Sequence, residues 1–526
     1  MKQYKNIFSA LLLGCFIIAS SACSEEKFGP DPSKDWDNTT FFNSLDEAGF
    51  QTYYNPAIGR CGDPMPFYDT KAGHFKVLYL QEFDNNAAFN YHPFWGVSTV
   101  DGANYQSLGE VLPTGTSPEE QDAALGTGCC IYNEKDGLYY IYYTGHDRYG
   151  REAVMRATSS DFENWSKDAI WMLKGSTYGY SDNDFRDPQI FVADDGLYHM
   201  VISSNLKFAE FKSSDLKTWD HVGNFPMIWD RMCECPDIFK MGNYWYLVYS
   251  EGYRASWSRK VKYMMATSWE ALKACFNDPG ANWPRDGHEG VLDTRAFYAG
   301  KTASDGTDRY IWGWCPIREG ATLFDKNVNV GADSEPAWAG ALVCHKIIQH
   351  ADGTLTLGAV PAIADKYTKD AALNVMASNG YNNGTLSGDG AYVLYNRLGA
   401  CNHISFTVKT AGNSDKFGIS LVRGTDSDRY YTMMVNPEND NWRKVNFEEE
   451  GSEGRGFIRG IDGYGFARPG DNTYKVDIYT DNSVLVMYIN DNVCYTNRIY
   501  GITKNCWSIN SYGGSITVSD VKVSQQ

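Results

Sequence analysis

From about residue 46 to residue 365 the apolar positions fall in short aromatic runs broken by Gly or Asp-Gly turns. Ile131-Tyr132-Asn133, the turn Asp136-Gly137 and Leu138-Tyr139-Tyr140-Ile141-Tyr142-Tyr143 form one such unit. Gln189-Ile190-Phe191-Val192, Asp195-Gly196 and Leu197-Tyr198-His199-Met200-Val201 form a second, and Asp237-Ile238-Phe239, Gly242-Asn243 and Tyr244-Trp245-Tyr246-Leu247-Val248-Tyr249 a third. Turns of this composition supply the positive φ that tight hairpins need, so each unit predicts an antiparallel pair. The segment Ser159-Ser160-Asp161 with Trp165 returns as Ser213-Ser214-Asp215 with Trp219, the same spacing one repeat later. Four-stranded units recurring in this way predict propeller blades, and a segment of this length accommodates about five.

Near residue 365 the pattern changes. Alternating strands are expected at His403 to Lys409, Phe417 to Val422, Tyr430 to Val435, Tyr474 to Tyr479, Val484 to Ile489 and Ser515 to Val523, with Gly, Asn and Asp at the turns. This predicts an antiparallel β-sandwich with its own core. Helical content is expected to be low, with Ser268 to Phe276 the best candidate for a helix. The fold class is therefore all-β: a five-bladed β-propeller over 46–365 followed by a β-sandwich over 366–526.

The first residues read differently. Lys2 and Lys5 precede an apolar run from Ile7 to Ser20, too short and wrongly flanked to span a membrane. Ser20-Ser21-Ala22-Cys23 resembles a bacterial lipoprotein processing site, which makes 1–22 a signal peptide and Cys23 the lipidated residue. Cys15, after Leu12-Leu13-Gly14, is a competing cleavage point. Ser24-Glu25-Glu26 resembles the surface-export signal of Bacteroidetes lipoproteins, and 23–45 reads as a polar tether. The expected location is the outer membrane, reached only through the lipid, at the cell surface or on the periplasmic face.

Composition narrows the partners. A chain of 526 residues calls for at least two domains. The formal charge of −18 argues against nucleic acid or an anionic membrane surface. It leaves a neutral oligo- or polysaccharide open, and a 15% aromatic content suits stacking on sugar rings. With 13 cysteines, an odd number once Cys15 and Cys23 are set aside, and no C-x-x-C pair, neither a disulfide framework nor structural zinc is expected. No metal and no cofactor are expected.

Three acidic residues stand beside Pro-containing turns that enter β-rich segments: Gly62-Asp63-Pro64, Arg186-Asp187-Pro188 and Glu234-Cys235-Pro236. Such turns are rigid and aim a carboxylate at a fixed point. The innermost strands of a propeller start at one mouth of its channel, so the three are expected to meet there. Cleaving a glycosidic bond needs one protonated carboxyl and one ionised carboxylate in different surroundings. Glu234, between two cysteines and next to Pro236, is expected in an apolar setting that favours its protonated form. Arg186 is expected to keep Asp187 ionised, and backbone amides of a glycine-flanked turn to hold Asp63. Strand alternation puts Cys233 and Cys235 on the face opposite Glu234. Asp69, Asp195 and Asp237 read as turn residues.

These segments resemble those of glycoside hydrolase family 32, the invertase, inulinase and levanase group. Arg186-Asp187-Pro188 matches its R-D-P motif, and Glu234-Cys235-Pro236-Asp237 its E-C-P-D motif. Asp293 to Ala299 resembles D-x-G-x-x-Y-A with Arg295 in place of glycine, and Arg309 to Trp314 resembles R-x-x-x-G-W. Trp338-Ala339-Gly340 and Asp352-Gly353-Thr354-Leu355 resemble the closing segment, and Trp95-Gly96 with Ser98 a further strand. The opening motif departs from the pattern W-M-N-D-P-N-G: Gly62 and Met65 replace both asparagines. The resemblance implies a retaining β-fructosidase acting on levan, inulin, fructo-oligosaccharides or sucrose. It implies Asp63 as nucleophile, Asp187 as transition-state stabiliser and Glu234 as acid/base, with Gln81, Trp95, Arg186 and Cys235 lining the subsite of the cleaved sugar. Two other readings use the same residues. One is a non-catalytic surface fructan-binding protein, the other an inverting arabinan or xylan hydrolase of a related five-bladed group.

Overall fold

The computed structural model describes residues 50–83, 91–227, 233–251, 260–275, 290–294, 296–316, 338–423, 429–437, 445–451, 456–457, 468–499, 501–503 and 505–526. The expected signal segment, Cys23, Cys15 and the tether lie outside them.

After a short strand β1 (Arg60–Cys61) the first blade is β2 (Met65–Asp69), β3 (His74–Glu82), β4 (Phe94–Thr99) and β5 (Gln106–Leu112). The second is β6 (Ala124–Asn133), β7 (Leu138–His146), β8 (Glu152–Ser159) and β9 (Ser166–Lys174). The third is β10 (Arg186–Val192), β11 (Tyr198–Ser204), β12 (Lys207–Ser213) and β13 (Asp220–Pro226). The fourth shows β14 (Cys233–Met241), β15 (Tyr244–Glu251) and β16 (Val261–Ala266), followed by helix α1 (Trp269–Cys275), one residue inside the expected helix at each end. The fifth is β17 (Tyr298–Ser304), β18 (Arg309–Pro316), β19 (Gly340–Gln349) and β20 (Leu355–Gly358). Within each blade neighbouring strands run antiparallel.

The first strands of the blades, β2, β6, β10, β14 and β17, each contact the next, and β17 contacts β2, so the ring is closed. Strand β1 seals the seam. Cys61 pairs with Gly340 of the last blade and with Gln81 of the first, joining the two sheets. The molecule is an all-β propeller followed by a sandwich, as the pattern predicts.

The Ser/Asp echo proves to be the turn between the third and fourth strands. Ser159 Oγ accepts the amides of Asp161 and Phe162, and the Asp161 carboxylate accepts those of Glu163 and Asn164. Ser213 and Asp215 do the same. Thr99 and Asp101 repeat it in the first blade, a third copy hidden in the sequence by Thr for Ser and Tyr105 for Trp.

The sandwich has an eight-stranded sheet that includes Cys401–Thr410, Thr473–Asp481, Val484–Ile489 and Ser515–Gln525. A seven-stranded sheet that includes Ala391–Tyr395, Lys416–Arg423 and Cys506–Tyr512 faces it. Ile404, Phe406, Phe417, Ile419, Ile478 and Trp507 are buried between them, alternate residues of each strand pointing inward.

Candidate active site

Asp63, Asp187 and Glu234 are buried where the inner strands begin. Asp63 follows β1, Asp187 lies on β10 and Glu234 on β14, so three blades deliver one carboxylate each. A small cavity is lined by Asp63, Arg186 and Asp187 together with His92, Thr127, His146 and Glu152.

Side chains hold Asp63. Trp314 Nε1 donates to its Oδ1 at 2.9 Å, and Thr127 Oγ donates to its Oδ2 at 2.6 Å. The Cys235 thiol lies 3.7 Å from the same Oδ2. Cys235 reaches there because alternation fails. The pairing of β14 with β15 slips between Glu234 and Asp237, and Cys235 takes a φ of +50°. Its amide donates to Asp187 Oδ2 at 2.8 Å, so one residue touches two of the three carboxylates. Cys233 packs away from the site, beside Phe191 and Trp245. The expectation that both cysteines lie opposite Glu234 is therefore corrected for Cys235 by the bulge.

The surroundings of Glu234 are polar rather than apolar. Tyr298 OH donates to Oε2 at 2.8 Å, and Arg186 Nη2 reaches Oε1 at 3.4 Å. Arg186 is itself held by Glu152 at 3.1 Å and Asp184 at 2.8 Å. Burial pushes the Glu152 carboxyl up, with Arg186 opposing.

Asp187 departs from expectation as well. Burial pushes its carboxyl up to about 7, Arg186 pulls against this, and Glu234 and Asp63 add to the rise. Desolvation outweighs the neighbouring guanidinium, so Asp187 is partly protonated near neutral pH.

Asp237 is no turn residue. It is buried on β14, accepting from Thr302 N at 2.9 Å, Thr302 Oγ at 2.6 Å and Gln189 Nε2 at 3.2 Å. Asp69 and Asp195 do cap turns, through the amides of Lys71, Ala72 and Leu197.

The two remaining expected subsite residues are not among those that line this cavity. Gln81 gives its amide to Ile58 O at 2.8 Å, and Trp95, across from Tyr79, packs into the cluster of Tyr53 and Tyr79. Leu80, between Tyr79 and Gln81, is the residue of β3 that lines the cavity. Alternation thus turns Gln81 and Trp95 to the other face of the sheet.

His92, Thr127, His146 and Glu152 carry no motif and escaped the sequence reading. Only their position at a strand end near the channel mouth, a property of the folded ring, marks them. His92 shares a hydrogen bond with Glu82 Oε2 at 3.0 Å and stacks on Trp338 at 4.3 Å.

The departures in the opening motif are filled. A Cβ at Gly62 would lie 2.0 Å from the Trp338 indole. Met65 Sδ accepts the amide of Gly128 at 3.1 Å.

Against known proteins, residues 54–357 match the family model for the N-terminal domain of glycosyl hydrolases family 32. Residues 353–523 match the model described as GH32, BT1760-like, C-terminal domain. A sucrose-6-phosphate hydrolase of Staphylococcus xylosus is 23% identical over 335 residues, 61% of this chain and 64% of the relative, just under two thirds of that protein's length. A raffinose invertase of Escherichia coli is 25% identical over 456 residues, 79% of this chain and 84% of the relative. The crystal structure of an exo-inulinase from Aspergillus awamori superposes with a TM-score of 0.67 at 15% identity, covering 90% of this chain and 97% of the other.

Proposed function

The chain belongs to glycoside hydrolase family 32, and from that premise we propose that it cleaves β-fructosidic bonds of fructans with retention of configuration. The meeting of Asp63 and Asp187 at one cavity, joined through Cys235, with Glu234 linked to the cavity-lining Arg186, carries the reading.

In this mechanism Asp63 attacks the anomeric carbon. Trp314 and Thr127 fix its two oxygens, which removes the rotational freedom a nucleophile would otherwise lose. Glu234 protonates the leaving oxygen and then takes a proton from the attacking water, as the acid/base of a two-step displacement requires. The Tyr298 hydroxyl and the Arg186 guanidinium orient it and respond to its change of charge. Asp187 hydrogen-bonds ring hydroxyls. Because its carboxyl sits near 7, it donates in one protonation state and accepts in the other.

The packing of Gly62 and Met65 supports a working site over a decayed one, since each replaced position has a partner in contact. Product analysis on levan, inulin, sucrose and arabinan, with the anomer followed by NMR, tests the proposal. Fructose or fructo-oligosaccharides released as the β-anomer are expected, and Asp63→Ala and Glu234→Ala are each expected to abolish release. The α-anomer as first product would replace the mechanism with an inverting one. Tight fructan binding without turnover would replace it with the binding reading.

A further inference from the structure

We propose that Tyr149, on the rim of the cavity, is a stacking platform for sugar units of the fructan chain beyond those held at the cleaved bond; this rests on the β-fructosidase reading. Strand β7 ends at the mouth with His146, and β8 starts there with Glu152. Both line the cavity, so the turn between them stands on its edge.

That turn is built to hold one shape. The Gly150 amide donates to Asp147 O at 2.9 Å, and the Asp147 amide to Arg151 O at 3.0 Å. Gly150 has a φ of +74°, where an L side chain is disfavoured. The Asp147 carboxylate accepts the amides of Tyr149 and Arg151, both at 2.9 Å, and Arg151 Nε at 2.6 Å. From the preceding loop, Gln121 Nε2 clamps both sides, on Gly145 O at 3.1 Å and Arg151 O at 2.8 Å.

On this rigid base Tyr149 is 66% exposed. Two guanidinium groups brace it, Arg148 at 4.8 Å and Arg151 at 5.3 Å from its centre. Arg148 also donates to the Tyr149 hydroxyl at 2.5 Å and pairs with Glu119. Ordering an exposed aromatic on an edge contributes nothing to the core. It does prepare a flat apolar surface ringed by donors and acceptors, which is what the C–H face and the hydroxyls of a sugar ring require. A disaccharide filling only the cavity gains little from such a surface, and a chain running over the rim gains from it at every turnover.

The test compares kcat/KM on long levan or inulin with kcat/KM on sucrose. Tyr149→Ala is expected to lower the ratio of the two about tenfold, a difference of about 1.4 kcal/mol in transition-state binding. Tyr149→Trp is expected to keep the ratio. Ile170→Ala, a 92% exposed position on the outer strand of the same blade, serves as control and leaves it unmoved. An unchanged ratio in Tyr149→Ala, or an equal loss on sucrose and polymer, overturns the platform. If the wild-type protein turns over neither sugar, the β-fructosidase reading fails instead. Electrophoresis through gels containing levan or inulin then decides the platform alone: retardation lost in Tyr149→Ala supports it, and equal mobility of the two proteins sinks it.

Discussion

At the scale of single residues, Asp187 concentrates the tension in the site. It is buried, holds a non-glycine φ of +60°, and its carboxyl is pushed up to about 7 by that burial. A carboxyl raised in the folded state binds more protons there than in the unfolded chain. Its contribution to stability is therefore complete below the unfolded value near 4 and lost as pH rises toward 7, on the order of a few kcal/mol. Asp187→Asn removes this dependence. Denaturant melts at pH 4 and pH 8 are expected to show the variant gaining on the wild type at the higher pH, while turnover falls about a hundredfold or more for want of the hydroxyl contact. A gain at pH 4 instead would contradict the sign. Gly62 carries a second prediction. The Trp338 ring that would meet a new Cβ is backed by stacking on His92 at 4.3 Å and by Trp314 at 6.0 Å. Gly62→Ala is expected to cost about 1–3 kcal/mol through overpacking. Adding Trp338→Ala should recover part of that cost, a non-additivity a double-mutant cycle measures.

At the scale of elements, four inner strands break register at one level. The slips fall between Gly126 and Gly128, Arg186 and Gln189, Glu234 and Asp237, and Tyr298 and Lys301. Each bulge turns a residue into the site: Thr127, Asp187, Cys235 and the Tyr298 hydroxyl all bond a carboxylate there or are one. Directly beneath, Lys301 Nζ donates to Gly128 O at 2.9 Å and Gln189 Oε1 at 3.1 Å, and Gln189 donates to Asp237. This belt joins the second, third, fourth and fifth blades below the chemistry. Lys301→Met is expected to leave two buried acceptors unmet, lowering stability by about 2–4 kcal/mol on thermal or urea melts and reducing kcat more than it raises KM. Part of this layer was readable beforehand. Pro188 and Pro236 cannot donate to a ladder, which is why the Asp-Pro and Cys-Pro signals marked the level of the site. The carboxylates were legible through those prolines. Cys235 was misread because period-two alternation holds only where no residue is inserted. Asp237 was misread because an acidic residue near a turn signal gives no hint of a threonine and a glutamine arriving from other blades. His92 and His146 had no local signal, since only closure of the ring brings them to the cavity.

At the scale of the whole molecule, the sandwich acts on the site through one strand. Trp314, which fixes Asp63, lies on β18, and β18 ends at Cys315 and Pro316 against the sandwich. Arg498 Nη2 donates to Cys315 O at 2.8 Å and Arg498 Nε to Pro316 O at 2.6 Å, with Nη1 on Ser483 at 2.8 Å. Nearby, the buried Asp481 accepts the amides of Gln51, Thr52 and Tyr53 at 2.8, 2.5 and 2.9 Å. Asp293 of the propeller accepts Thr496 N at 2.8 Å, and the buried His345 bonds Tyr488 OH at 2.7 Å. Unfolding the sandwich alone would exchange each of these contacts for water, losing about 0.5–1.5 kcal/mol per hydrogen bond. The two parts are therefore expected to melt together, in one calorimetric transition whose measured enthalpy matches the van't Hoff value. Arg498→Met keeps the length of the side chain and removes every donor. It is expected to lower the melting temperature and to split or broaden the transition. It should also lower kcat several-fold, because the end of β18 that positions Trp314 loses its hold. Two separate transitions in the wild-type protein would show that the halves are independent. Full turnover in a destabilised Arg498→Met would show that the sandwich braces the fold without steering the nucleophile.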